Sequence, residues 1–123
     1  MLERIPEAPA DTLALRATGT VVASDVGVAL EAAMGPTTAA TGLAVVIDPD
    51  FDGYLVELAR GLADASLAHK NLVRIAVVAE ADQLEGAKVA GFDVSAVPIR
   101  LFTMPEERAA FEWASAARRN GVT

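Results

Sequence analysis

The chain lacks cysteine, contains a single histidine, His69, and has no apolar run approaching the roughly 20 residues of a membrane-spanning helix. The absence of cysteine excludes disulfide bonds, thiolate metal sites and a cysteine nucleophile, and it fits a reducing cytoplasm. Positive charge is also scarce, because 10 Lys and Arg residues face 17 Asp and Glu residues, for a net charge of −7. No basic patch is visible, and we therefore expect no nucleic-acid partner.

Apolar residues, in contrast, are abundant and make up 53% of the 123 positions. A chain of this size and content can bury the core of one compact domain, and we predict a single domain over residues 1–123. The first residues, MLERIPEAP, are acidic and contain proline, so they do not resemble a signal peptide. These features predict a cytoplasmic protein without a membrane span.

The pattern of apolar residues predicts five strands and four helices. The continuous runs LAVVI and VRIAVVA are rich in β-branched residues and are typical of interior strands covered on both faces. The last helix has the clearest start signal, because Thr103 is followed three residues later by Glu106, a capping box. The predicted strands are residues 1–5, 12–18, 43–47, 73–79 and 97–102, and the predicted helices are residues 25–34, 53–69, 81–90 and 104–119.

The resulting order, ββαβαβαβα, opens with two consecutive strands and then alternates helix and strand. Alternation of this kind predicts an α/β domain, whose sheet is antiparallel at its N-terminal edge and otherwise mostly parallel. We therefore expect a mixed β-sheet with an N-terminal antiparallel hairpin and helices packed against it.

The stretch DPDFDG, residues 48–53, is the candidate functional loop. Its alternating carboxylates and glycine resemble the start of a calcium loop, but the later ligands are missing, because Val56 and Ala59 stand where oxygen ligands are needed. A strand-end aspartate could also accept phosphate, as in haloacid-dehalogenase phosphatases and receiver domains. Both classes need a further lysine, but neither Lys70 nor Lys88 ends an apolar strand. Neither interpretation is therefore favoured.

A structural role explains this loop more simply. Asp50 or Asp52 could cap the following helix, because negative charge is stabilised at a helix N-terminus. Asp48 keeps the greatest functional interest, because open α/β sheets bind ligands beyond the carboxyl ends of their strands. A weak, partly hydrated magnesium contact stays open as an alternative.

Four segments, taken in order, resemble the SpoIIAA-like family, a branch of the STAS superfamily related in shape to bacterial anti-sigma-factor antagonists. These segments are TLALRATGTVVASDV, LAVVIDPDFDGY, LVRIAVVAE and IRLFTMPEERAAFEWA, and the resemblance extends over residues 1–117. It implies a single STAS-like α/β domain, usually bacterial and cytoplasmic, often a homodimer, with no established enzymatic activity.

The antagonists of the wider superfamily are switched by phosphorylation of a serine at the start of the helix after a central strand. Here no Ser or Thr occurs in residues 43–65, and Asp52 or a neighbour would stand in the place of that serine. A carboxylate there could imitate the phosphorylated state with less charge. Alternatively, this branch never had the switch, and we favour that interpretation.

Two functional hypotheses follow. The first is a non-catalytic regulatory or protein-interaction module that binds another protein or a second copy of itself. The second is a carrier that holds a small apolar, lipid-like ligand between the second helix and the sheet. An enzyme that uses the loop carboxylates with a divalent ion is a weaker third. We expect no catalytic residue, structural metal or cofactor. The candidate binding residues are Asp48, Asp50, Asp52, Gly53, Tyr54, Leu55 and Leu58.

Overall fold

The chain forms one five-stranded β-sheet with helices packed on both of its faces. The computed structural model describes residues 1–6, 12–34, 41–51, 55–69, 71–90 and 97–122, and within them the side chains of all but residues 34, 87–90 and 116–122. The strands are β1 (Leu2–Arg4), β2 (Thr12–Ala17), β3 (Thr41–Ile47), β4 (Leu72–Ala79) and β5 (Ile99–Thr103). The helices are α1 (Ala23–Met34), α2 (Leu55–Ala68), α3 (Ala81–Ala90) and α4 (Glu107–Val122).

The strands lie in the sheet in their order along the chain, from β1 at one edge to β5 at the other. β1 pairs with β2 in the antiparallel sense, and every other neighbouring pair is parallel. This arrangement confirms the predicted α/β fold, with its antiparallel N-terminal hairpin. Because β2, β3, β4 and β5 run the same way, their carboxyl ends lie along one border of the sheet.

Alternate residues of each strand point to opposite faces, and this alternation divides the core in two. In β3, Leu43, Val45 and Ile47 belong to the cluster that packs with α1 and α2. Ala44 and Val46 belong to the second cluster, which contains Ala110 and Ala114 of α4. The half-buried Leu84 of α3 packs on the first cluster, so α1, α2 and α3 share one face of the sheet. The other face is covered by α4.

β3 begins at Thr41, two residues before its predicted start at residue 43. One of these two added residues, Gly42, has no side chain and therefore lets α4 come close. A Cβ added at Gly42 would lie 2.8 Å from the carbonyl carbon of Ala114. A side chain at this position would therefore push α4 away from the sheet.

Helix α1 begins at Ala23, two residues before its predicted start. Ser24, a residue type that often caps helices, lies inside the first turn with an exposed side chain. The Asp25 carboxylate instead accepts a hydrogen bond from the backbone N–H of Val22, at 3.0 Å. A carboxylate in the first turn therefore binds the chain just ahead of the helix, where negative charge is favourable.

The predicted capping box at the end of β5 is confirmed. The Glu106 carboxylate accepts hydrogen bonds from the backbone N–H and from the hydroxyl of Thr103, each at 2.9 Å. The first turn, Met104–Glu106, is a 3-10 helix, and α4 continues from it. Pro105 fits this turn, because a backbone N–H at this position would have no hydrogen-bond partner and proline lacks that N–H.

Candidate functional site

The predicted loop starts at Asp48, which directly follows β3 at the carboxyl border of the sheet. Its backbone N–H donates to the carbonyl of Ala17 at 2.9 Å, so the parallel pairing extends one residue beyond β3. Its Oδ1 atom accepts from the backbone N–H of Asp50 at 3.1 Å, and its carbonyl accepts from the N–H of Phe51 at 2.9 Å. These bonds make an Asx turn, in which the side chain of Asp48 helps to reverse the chain.

Arg16 of β2 lies beside Asp48, with its Nη1 atom 3.5 Å from Asp48 Oδ2. The pKa of Asp48 lies below the ordinary value of 3.8, chiefly because of its hydrogen bond to the backbone N–H of Asp50. The Asp50 side chain and the Arg16 guanidinium lower it further. Asp48 is therefore a carboxylate at neutral pH, with partners for both of its oxygens.

Gln83 connects the ends of β3 and β4. Its Nε2 atom donates to the backbone carbonyl of Asp48 at 3.3 Å, and its Oε1 atom accepts from the backbone N–H of Glu80 at 3.0 Å. Sequence reasoning did not select Arg16 or Gln83. A signal for each is present, because Arg16 is the only charged residue of an otherwise buried strand and Gln83 lies three residues after Glu80, as in a capping box.

The predicted binding residues have different environments. Asp50 is exposed, and Asp48 and Leu55 are half-buried. Leu58 is fully buried within the core between α2 and the sheet, so it does not share a surface with the acidic loop. The predicted residues 52–54, which are Asp52, Gly53 and Tyr54, lie outside the described residues.

The first turns of α1 and α2 contact each other near the same border of the sheet. Glu57 Oε1 accepts from the backbone N–H of Ala23 at 3.2 Å, and Arg60 lies 3.4 Å from the other Glu57 oxygen. Gly61, one turn further along α2, is packed so closely that an added Cβ would lie 2.7 Å from the carbonyl oxygen of Ala23. The two helix starts are thus fixed relative to each other.

Apolar side chains are exposed on either side of this contact. Val22 precedes Ala23 and is 44% exposed, whereas Val56 precedes Glu57 and is 48% exposed. Met1 is also exposed, and its carbonyl accepts a hydrogen bond from the N–H of Thr18, in the segment that leads to α1. We call Met1, Val22 and Val56 the border patch. Two exposed acidic residues lie in these segments. Asp25 lies in the first turn of α1, and Asp50 lies in the loop between β3 and α2.

A search of solved structures finds a protein of similar fold. It is the crystal structure of a DUF3478-family protein with a SpoIIAA-like fold from Shewanella loihica PV-4, with a TM-score of 0.61. The alignment covers 93% of this chain and 92% of that one, at 19% sequence identity.

The fold is SpoIIAA-like.

The resemblance inferred from the four sequence segments is thereby confirmed at the level of the fold. No family model matches the sequence, and no curated protein matches it.

Within this SpoIIAA-like fold, the described residues contain no group of three His, Asp or Glu side chains placed to hold a metal ion. Buried side-chain nitrogen and oxygen atoms of the described residues all have hydrogen-bond partners. No helix in the described part of the chain is both long enough and apolar enough to cross a membrane.

Proposed function

We propose that this chain is a non-catalytic, regulatory protein-interaction module that binds its partner through the border patch and the acidic loop beside it. The observation that supports this most strongly is the exposure of Val22 and Val56 at two helix starts that are fixed by the Glu57–Ala23 hydrogen bond. Apolar side chains on a rigid support can be buried against a partner with little cost in conformational entropy.

The chemistry of this surface favours one class of partner. Burial of a fully exposed valine is worth about 1.5–3 kcal/mol, so two half-exposed valines provide a modest apolar centre. The exposed carboxylates of Asp25 and Asp50 add a negative rim, in a chain whose net charge is −7. Complementary charge increases the rate of association and selects among partners. We therefore propose a protein partner that presents an apolar surface with a basic rim.

The state of Asp48 supports a non-catalytic role. A general acid or base works best when its pKa lies near the operating pH, whereas the pKa of Asp48 lies below 3.8. Its oxygens are already bound by Asp50 and Arg16 in a turn that shapes the loop. The absence of Ser and Thr from residues 43–65 also agrees with a module that is not switched by phosphorylation at this helix start. As part of the proposal, we place the protein in the bacterial cytoplasm.

A photo-crosslinking experiment tests the surface. A benzoyl-phenylalanine residue replaces Val56 in one variant and Leu67, which is 61% exposed on the same helix, in the control. After irradiation in the cells that make the protein, we expect a single partner adduct with the first variant and none with the control. Asp50→Lys and raised salt should each reduce the adduct, because both weaken attraction to a basic rim.

The other outcomes of that experiment are equally informative. Equal labelling from Val56 and Leu67, or none from either, would overturn the border patch as the contact surface. An adduct with twice the mass of the chain would identify the partner as a second copy, which is the predicted homodimer. Native mass spectrometry addresses the carrier hypothesis, because an apolar molecule that leaves only on denaturation would replace our proposal with that one.

A further inference from the structure

A cleft lies on the α4 face of the sheet. α4 packs mainly on β3 and β4, and it leaves the β1–β2 side of this face less covered. The cleft there has a volume of about 380 Å³. That volume lies within the range typical of small-molecule sites, about 300–1,000 Å³. The lining residues are Ile5, Arg16, Glu107, Arg108 and Phe111.

The cleft combines an apolar wall with one guanidinium. Ile5 is only 9% exposed, and Phe111 is half-buried against the core of the α4 face. The Arg16 side chain is 41% exposed, so its charged group is open to the cleft and to solvent. A ligand that fits this lining has an apolar body for Ile5 and Phe111, and an acceptor group for Arg16.

Asp48 orients the Arg16 guanidinium but does not use all of its hydrogen-bond donors. Its Nη1 atom lies 3.5 Å from Asp48 Oδ2, longer than the roughly 2.7–2.9 Å of a strong charge-assisted hydrogen bond. A guanidinium carries about five N–H donors in a planar fork, and that fork matches the two oxygens of a carboxylate. The contact with Asp48 therefore orients Arg16 while leaving it able to bind a second carboxylate.

The acidic neighbours restrict the charge of the ligand. Glu107 lines the cleft, and Asp48 lies next to it, so both repel an anion. Arg108 also lines the cleft, but its side chain is 93% exposed and lies 3.6 Å from Glu112. A single negative charge is tolerated in this setting better than the two charges of a phosphate dianion.

We propose that this cleft binds a small organic monocarboxylate with a planar apolar body, the carboxylate on Arg16 and the body against Ile5 and Phe111. The site adjoins the acidic loop through the Arg16–Asp48 contact, and it lies on the opposite face of the sheet from the space between α2 and the sheet that the carrier hypothesis invokes. Binding here would add a ligand to a module that otherwise contacts proteins.

Titration with 2-naphthoate, followed by ¹⁵N NMR, tests the proposal. We expect saturable shifts of the backbone amides of Ile5, Arg16 and Phe111. Arg16→Gln should weaken binding about tenfold, because the charge-assisted pair is lost. Arg60→Gln is the matched control, because it removes an exposed arginine of α2 and should leave the affinity unchanged. Glu107→Gln should tighten binding, because a repelling charge is removed.

Three comparisons would overturn the proposal. The first is an equal affinity for 2-naphthalenemethanol, which has the same body without the charge, because binding would then be apolar only. The second is unchanged binding by Arg16→Gln, with Arg16→Lys used to verify that the fold is kept. The third is tighter binding of inorganic phosphate than of 2-naphthoate, which would contradict the monocarboxylate class.

Discussion

The two faces of the sheet are covered in different ways, and the side chains of the strands differ accordingly. On the face of α1, α2 and α3, the fully buried residues are mostly large and aliphatic, as with Leu43, Leu58 and Leu62. On the face of α4, the centre of the core consists largely of alanine. These alanines are Ala14, Ala44, Ala76, Ala110 and Ala114. Small side chains let one helix approach closely, whereas three helices need large side chains to fill a wider space.

Aromatic residues border the alanine centre of the α4 face. Phe102 and Trp113 lie with their ring centroids 6.1 Å apart, and the Arg74 guanidinium carbon lies 5.0 Å from the Trp113 ring. Arg74 also donates to the backbone carbonyl of Trp113 at 3.0 Å. Helix α4 is therefore held at its centre by its close contact with Gly42 and at its side by the aromatic rings and Arg74.

Among the substitutions that compare the two faces, Gly42→Ala should cause the largest loss in the free energy of unfolding. The new methyl group would meet the backbone carbonyl of Ala114, and α4 would have to move. We expect a loss of about 4 kcal/mol or more in the free energy of unfolding, above the usual ~1–3 kcal/mol for overpacking, because backbone is the obstacle. Urea denaturation followed by circular dichroism measures this loss.

The matched control is Gly27→Ala in α1. A Cβ at Gly27 meets nothing within 4 Å, and a helical Gly→Ala change at an open position stabilises by roughly 0.5–1 kcal/mol. A small loss for Gly42→Ala, of the size expected for a substitution at the surface, would contradict the close packing of α4 on the sheet.

Truncation of one large side chain on each face should give the next effect. Leu58→Ala removes a fully buried side chain, and we expect a loss of about 2–5 kcal/mol. Phe111→Ala removes a half-buried ring at the side of α4, and we expect about 1–2 kcal/mol, because part of the ring stays in water in the folded protein. Thermal denaturation of both variants tests this order. Equal losses would mean that the α4 face is as tightly packed as the other.

The smallest effect concerns the pH response at the start of α4. Hydrogen bonds from the backbone N–H and then the hydroxyl of Thr103 hold the pKa of Glu106 below its ordinary value of 4.5. Since the folded pKa is the lower one, Glu106 stabilises the fold above pH 4.5, and this contribution is lost as the pH falls through the folded pKa.

An NMR titration of the Glu106 side chain measures that pKa. Thr103→Val keeps the backbone N–H and removes the hydroxyl, so we expect the pKa of Glu106 to rise but to stay below that of an exposed glutamate. A titration of Glu106 at its ordinary value in the unmodified protein would contradict the capping contact.

Local patterns were sufficient to predict most of the fold. The runs LAVVI and VRIAVVA lie in β3 and β4, and Thr103 with Glu106 marks the start of α4. The start of β3 was missed because Gly42 and the residues before it are typical of a loop. Its place in the strand depends on contact with Ala114, which is distant in sequence. Likewise, α1 begins at Ala23 and not after Ser24. Two carboxylates bind the backbone at this start: Asp25 accepts from the N–H of Val22, and Glu57 of α2 accepts from the N–H of Ala23.

The candidate site was predictable only in part, because several of its contacts join residues that are distant in sequence. Asp48 was selected because it ends a buried strand, and it does lie at the carboxyl border of the sheet. Its partners Arg16 and Gln83 are 32 and 35 residues away, and no local pattern connects them to it. Leu58 was selected as a wall of an apolar pocket between α2 and the sheet, but its side chain is fully buried within the core there.

The close seating of α4 over Gly42 also has a consequence for the order of folding. No single segment provides the surface on which α4 packs, because β3 and β4 form it side by side. Forming that parallel pair requires closure of the long connection through α2, a slow step in chains of this kind. α4 can dock only after this step. A chain whose β3 and β4 have paired exposes that alanine surface until α4 docks on it, and a delay between the two events would leave the chain open to misassembly.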